Sequence, residues 1–183
     1  KQNRAEFLHS EFMIARTGYT GEDGIEVMLE HGDDVRLIDL LDKISILPCG
    51  LGSRDTLRLE ASLPLYGQEL TESVTPVEVG FKWIVDFDHN FHGKEILEQQ
   101  IKTKKHKSLN KFIIDDRIVA RSGDKAFSDE INGIVTSGNY SPTLKKSIGF
   151  VLFDSNPKTN SIKINIRDKF INGQLIKGKF IGA

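Results

Sequence analysis

One cysteine, Cys49, stands in 183 residues. That excludes an internal disulfide framework and, without companion thiols, a cysteine-built metal site. A reducing, cytoplasm-like compartment is the expectation, or a mitochondrial matrix in a eukaryote. No apolar run approaches the ~20 residues that a membrane-spanning helix requires, and Lys1 opens no signal-peptide pattern, so no membrane is expected. His89 and His92 have a spacing that suits a metal, yet no third or fourth ligand stands near them in sequence, and no metal is expected. Basic residues occur without a recognisable nucleic-acid-binding signature, which sets nucleic acid aside as a partner.

What is present is an ordinary globular composition, 38% apolar and 28% charged, with a formal net charge of −1 that hides a division. Residues 1–100 carry 9 Lys/Arg against 19 Asp/Glu, a net of −10, and residues 101–183 carry 16 against 7, a net of +9. Two electrostatic units are expected, 1–100 and 101–183. The basic run Lys102 to Lys107 reads as a solvated linker between them.

The first unit is organised around Arg16-Thr17-Gly18-Tyr19-Thr20-Gly21-Glu22-Asp23-Gly24-Ile25-Glu26-Val27. Glycine serves where the backbone takes positive φ or lies close to another group, so this spacing predicts a shaped loop. It matches neither GxGxxG nor a Walker A loop, and no phosphate site is inferred. Glu11 to Ala15 reads as a strand entering the loop and Ile25 to Leu29 as one leaving it, with Ile25, Val27 and Leu29 on the core face. Glu26 opens the opposite face, a rigid place for a carboxylate. Spacing alone does not separate a binding carboxylate from a solvated one.

After the break at His31-Gly32, Asp33 or Asp34 can cap a helix whose Val35, Ile38, Leu41 and Ile44 form a stripe. Pro48-Cys49-Gly50-Leu51-Gly52 ends that pattern, and Ser53 can cap a second helix containing Leu57 and Ala61. Arg54 falls in its first turn, where the macrodipole disfavours a cation by a few tenths of a kcal/mol. Either an anion awaits it, or Asp55 and Glu60 pair with Arg54 and Arg58. Phe81 to Val85 reads as an apolar strand around Trp83, and Lys94 to Ile101 as a helix. Beyond residue 107 the pattern is all-β: Phe112 to Ile114, Ile131 to Thr136, Ile148 to Leu152, Ile162 to Ile166 and Gln174 to Phe180 predict a small barrel or sandwich.

Several stretches go further. Arg16 to Glu26, Gly50-Leu51-Gly52-Ser53-Arg54-Asp55-Thr56-Leu57-Arg58-Leu59-Glu60-Ala61, Leu63-Pro64-Leu65-Tyr66-Gly67, Thr75-Pro76-Val77-Glu78, Gly93-Lys94-Glu95, Gly133-Ile134-Val135-Thr136-Ser137-Gly138 and Ser141-Pro142-Thr143-Leu144-Lys145-Lys146 match, in order and spacing, the aminomethyltransferase (T-protein) family of the glycine cleavage system. The sequence resembles the C-terminal half of that family. The resemblance implies an α+β fold: the C-terminal portion of a folate-binding α/β domain over 1–100, then a small antiparallel β-barrel over 101–183. It implies transfer of an aminomethyl group from lipoylated H-protein to tetrahydrofolate, with release of ammonia and formation of 5,10-methylenetetrahydrofolate, alongside the P- and L-proteins of the same system.

On this resemblance Glu26 matches the pterin-binding glutamate, Arg54 a folate-contacting arginine, and Tyr19 and Trp83 positions that line the pocket. The family's catalytic aspartate belongs to its N-terminal half, so no catalytic residue is assigned and this stretch alone is expected to be inactive. H-proteins tend to be acidic, and Lys145 and Lys146, following Ser141-Pro142, are candidates for docking one. The tail Lys179-Phe180-Ile181-Gly182-Ala183 departs from the family's usual Pro-Phe ending. Two other functions fit the same residues: the folate-binding tail of a dimethylglycine- or sarcosine-oxidising enzyme, and a non-catalytic folate-binding or docking module.

Overall fold

The computed structural model describes residues 5–9, 12–30 and 32–181, with side chains described from residue 13 onward. Glu11, His31 and the tail residues Gly182 and Ala183, which figure in the sequence reading, lie outside the described residues. The fold is mixed α and β, and compactness divides the chain into Lys1–Leu63 and Pro64–Ala183.

The first unit contains a three-stranded antiparallel sheet of β1 (Ala5–His9), β2 (Phe12–Ala15) and β3 (Glu26–Leu29), in that spatial order. Pairing of Ala15 with Glu26 places the glycine loop as the connection between β2 and β3. The alternation expected for β3 is observed, with Val27 and Leu29 half-buried and Glu26 and Met28 exposed. Ile25, expected on the core face, is instead 60% exposed, because the strand begins only at Glu26.

Helix α1 (Asp34–Lys43) starts where expected, with acid in its first turn and Lys43 in its last, as the dipole favours. Its buried stripe differs from the expected one. Leu37 and Leu41 are half-buried, whereas Val35, Ile38 and the following Ile44 are exposed. Helix α2 (Leu51–Glu60) begins earlier than expected, with Gly50 and not Ser53 at its N-cap. It buries only its C-terminal end, at Arg58, Leu59 and Glu60.

The second unit opens with turns, the short 3-10 helix Lys82–Ile84 and helix α3 (Lys94–Thr103). The expected strand around Trp83 is therefore absent. An apolar run of this length does not distinguish a strand from a single tight turn. The rest is a closed antiparallel barrel of β4 (Ser108–Ile114), β5 (Lys125–Ser128), β6 (Ile131–Ser141), β7 (Lys146–Phe153), β8 (Ser161–Ile166) and β9 (Lys169–Ile176). Their order is β4-β7-β6-β5-β8-β9, closed by pairing of β9 with β4. Strand β5 is too short to show a period, and the last strand lies at 169–176, not 174–180.

Along β8, Ile162, Ile164 and Ile166 point inward and Ser161 and Lys163 outward, the period of a barrel wall. They meet Phe112, Val135, Val151 and Phe153 in one buried core. Gly138 keeps β6 close to Ala120, since a Cβ there would lie 2.2 Å from the Ala120 carbonyl oxygen. The tail returns to cover β7, with the Phe180 ring edge-on to Phe150 at 6.1 Å. No helix among the described residues is long and apolar enough to cross a membrane.

The irregular segment 64–107 is tied to the barrel by two buried carboxylates. Glu69, 1% exposed, accepts from the Leu65 amide at 2.9 Å and from the Ser137 hydroxyl at 2.5 Å, and that hydroxyl also meets Gln68. Glu78 accepts from the Thr75 amide at 2.8 Å and the Lys107 amide at 3.2 Å, while Thr75 Oγ1 accepts from the Glu78 amide at 3.3 Å. This reciprocal exchange has the logic of a capping box applied to a turn, and it explains the Thr75-Pro76-Val77-Glu78 stretch structurally. Lys94 likewise serves the backbone, donating to the carbonyls of Phe87 at 2.5 Å and His89 at 3.2 Å.

Candidate functional site in the glycine loop

The loop between β2 and β3 is shaped mainly by Gly21. Its φ is +81°, and a Cβ there would come within 2.5 Å of Ala61 Cβ. Both left-handed backbone and close approach therefore require glycine, and the loop lies against the end of α2. Gly18 and Gly24 have ordinary φ, so the three-residue spacing corresponds to one obligatory glycine and not three.

This contact brings two of the expected residues together. The Arg54 guanidinium lies over the Tyr19 ring, 4.8 Å from its centroid. A cation held on an aromatic face gains about 0.5–1 kcal/mol at an exposed site and keeps its five donors in a fixed plane. Arg58 takes the neighbouring acid, pairing with Asp55 at 2.8 Å and donating to the Leu63 carbonyl at 3.3 Å while only 1% exposed. Of the pairings open in the sequence, Asp55 with Arg58 is formed, and Arg58 is a buried packing residue.

Glu26 stands exposed at the start of β3 and accepts a hydrogen bond from the Thr17 hydroxyl, across the same loop. Thr17 was not singled out by sequence reasoning. The signal available was its place opposite Glu26 across a two-strand connection. An exposed carboxylate with one oxygen held by a hydroxyl keeps acceptor capacity for a ligand with paired N–H groups.

The other expected residues belong to the second unit. Trp83 is 79% exposed and meets Phe81 edge-on at 6.4 Å, so its indole face is open and it is no core residue. Lys145 is exposed, with φ at +56° in the turn before β7. Lys146 opens β7 and pairs with the exposed Asp115 at 3.3 Å while remaining 42% exposed itself. His89 bonds Asp86 at 2.7 Å in an exposed pair. Among the described residues no group of three or more His, Cys, Asp or Glu side chains is placed to hold a metal ion.

The family described as the GCVT N-terminal domain matches residues 1–89, and the glycine cleavage T-protein C-terminal barrel domain matches residues 107–181. The chain belongs to the glycine cleavage T-protein family. The aminomethyltransferase of Thermosipho melanesiensis is 45% identical over 177 residues, covering 94% of this chain and 48% of that protein. That of Bacillus pumilus is 38% identical over 187 residues, covering 97% of this chain and 51% of that protein. The crystal structure of glycine cleavage system aminomethyltransferase T from Bartonella henselae superposes with a TM-score of 0.86 at 27% identity, over 97% of this chain and 52% of that one. The chain thus spans about half the length of the T-protein relatives it matches.

Proposed function

We propose that this chain supplies the folate-contacting and barrel portions of an aminomethyltransferase. These portions are proposed to meet at residues 100 and 101, where the charge reverses, a division by sequence distinct from the compact units 1–63 and 64–183. The whole enzyme takes the aminomethyl carbon from the lipoyl arm of H-protein and passes it to tetrahydrofolate. The carbon–sulfur bond breaks and releases the dihydrolipoyl thiol, the folate N5 attacks the resulting iminium-like carbon, and N10 then displaces ammonia to give 5,10-methylenetetrahydrofolate. Such a reaction asks the protein mainly to orient the pterin and exclude water. Its setting is the cytoplasm, with the P- and L-proteins acting on the same H-protein.

The observation that carries this reading is the joint placement of Thr17-held Glu26 and Tyr19-stacked Arg54 on one loop and the helix packed against it. The carboxylate suits the paired N–H edge of a pterin, and the planar guanidinium suits a carbonyl or carboxylate of the folate. Trp83 is proposed as a folate contact on the family resemblance alone; its own indole face is exposed. Glu26→Ala and Arg54→Ala should each weaken tetrahydrofolate binding about tenfold or more, since charge-assisted bonds contribute roughly 1.5–3 kcal/mol. The thermal midpoint should hardly move, as both groups are exposed. Titration with tetrahydrofolate, followed by calorimetry, checks this, and unchanged affinity in both variants would overturn the assignment.

Lys145, together with Lys146 to the extent that Asp115 leaves it free, is proposed to steer the acidic H-protein. Lys145→Gln should then raise the apparent KM for loaded H-protein in the full-length enzyme at low salt and not at high salt. An unchanged KM at low salt would leave Lys145 as turn surface.

A further inference from the structure

A cavity of about 550 Å³ opens on the second unit, lined by Arg117, Arg121, Arg167 and Lys169 around apolar side chains. Its apolar lining comes from Ile118, Val119, Ile166 and Ile171, of which Ile166 is 5% exposed. The volume is in the range of small-molecule sites. Asp116 and Asp168 adjoin the site in sequence, yet none of the four cations forms an ion pair among the described residues. Asp116 spends its carboxylate on the Arg117 amide at 2.5 Å, and Asp124 on the Arg121 amide at 2.8 Å.

Two of the cations sit in defined local surroundings. The Arg117 guanidinium lies 5.6 Å from the centroid of the Tyr140 ring, which restricts its plane. Arg167 sits in the two-residue turn joining β8 to β9, where Ile166 pairs with Lys169. Arg167 and Asp168 have φ of +50° and +64°, both left-handed. A turn of this type favours Asn-Gly or Asp-Gly, so Arg167 occupies a strained position whose backbone would be eased by glycine.

We propose that this cavity binds a compact polyanion, two or more closely spaced phosphates or carboxylates carried on an apolar body. Arginine forks match phosphate and carboxylate oxygens two at a time, and the isoleucine lining takes the body. A macromolecular acidic surface would use the rim charges without needing the apolar depression between them. The site is independent of the folate reading, since it uses none of the same residues.

Calorimetric titration of the 183-residue chain in 50 mM salt with ATP, tripolyphosphate and triglutamate tests it. At least one probe should bind saturably with one-to-one stoichiometry. Phosphate-bearing probes alone, or triglutamate alone, would identify which source supplies the anion. Arg167→Gly should weaken binding about tenfold while raising the thermal midpoint, because it removes a charge-assisted contact and relieves the turn. Arg117→Lys, which keeps the charge and loses the fork, should weaken it severalfold. Lys163→Gln, an exposed cation on β8 outside the cavity, should leave it unchanged. No binding by any probe at millimolar concentration, or equal weakening by Lys163→Gln, would overturn the proposal.

Discussion

Residues 1–63 and residues 64–183 dispose of their apolar side chains in opposite ways. In the first unit Leu59 is the one fully buried large apolar side chain among the described residues, and α1 buries none. Val35, Ile38, Leu40, Ile44, Ile46 and Leu47 are all at least half exposed. In the second, every barrel strand contributes to a closed core in which Phe112, Val135, Phe153, Ile162 and Ile164 have no exposure at all. A barrel leaves no free edge and satisfies its own backbone, whereas a three-stranded sheet with two amphipathic helices does so only in part. The difference teaches that the glycine loop is carried by the unit with fewer buried apolar side chains, and that its geometry rests on a few contacts, Gly21 on Ala61 foremost.

The largest effect should come from truncating the barrel core, set against the same truncation on α1. Phe153→Ala is expected to cost about 3–5 kcal/mol of stability, as large-to-small changes in packed cores do. Leu40→Ala, on the exposed side of α1, should change it by less than about 0.5 kcal/mol. Urea unfolding followed by circular dichroism measures both, and similar losses at the two sites would erase the distinction.

A smaller effect, confined to the first unit, is expected of Gly21→Ala. The new methyl must displace Ala61 and hold φ near +81°, a strain of about 1–3 kcal/mol. Because Arg54 and Tyr19 meet across that contact, tetrahydrofolate affinity should fall while the barrel amides keep their hydrogen-exchange protection. Loss of protection in β6 and β7 would mean that the units do not unfold separately.

The smallest effect depends on pH. Partial burial on β4 holds the Lys111 ammonium below its ordinary value. Its charged form is thus disfavoured on folding. The penalty is full below the folded pKa and lifts as pH rises from there toward the value of a free lysine, about 10.4. Lys111→Met should therefore raise the thermal midpoint at pH 7, with the gain shrinking as pH approaches 10. A gain that is constant across that range would assign it to packing alone.

Local pattern made much of this legible. The alternation of Ile162, Ile164 and Ile166 places β8, the acids at Asp33 and Asp34 place α1, and the glycine-rich stretch places the loop whose Glu26 opens β3. Motif order and spacing point to the family from the sequence alone. Each of these signals is local in sequence: a period, a cap, or a string of residues whose meaning survives without knowing what packs on it.

What only the tertiary structure decided depends on residues distant in sequence. Closure of β9 onto β4 cannot be read from either strand, since the hydrogen-bond partners of a strand are set by its neighbours and not by its own alternation. The stack of Arg54 on Tyr19, the bond from Thr17 to Glu26 and the pairing of Lys146 with Asp115 arise because a turn or helix end brings one side chain to another. Trp83 shows the same limit from the other side. Its apolar neighbours predict a buried strand, but a single 3-10 turn leaves the indole 79% exposed, because burial is a property of what covers a residue and the sequence around it does not say.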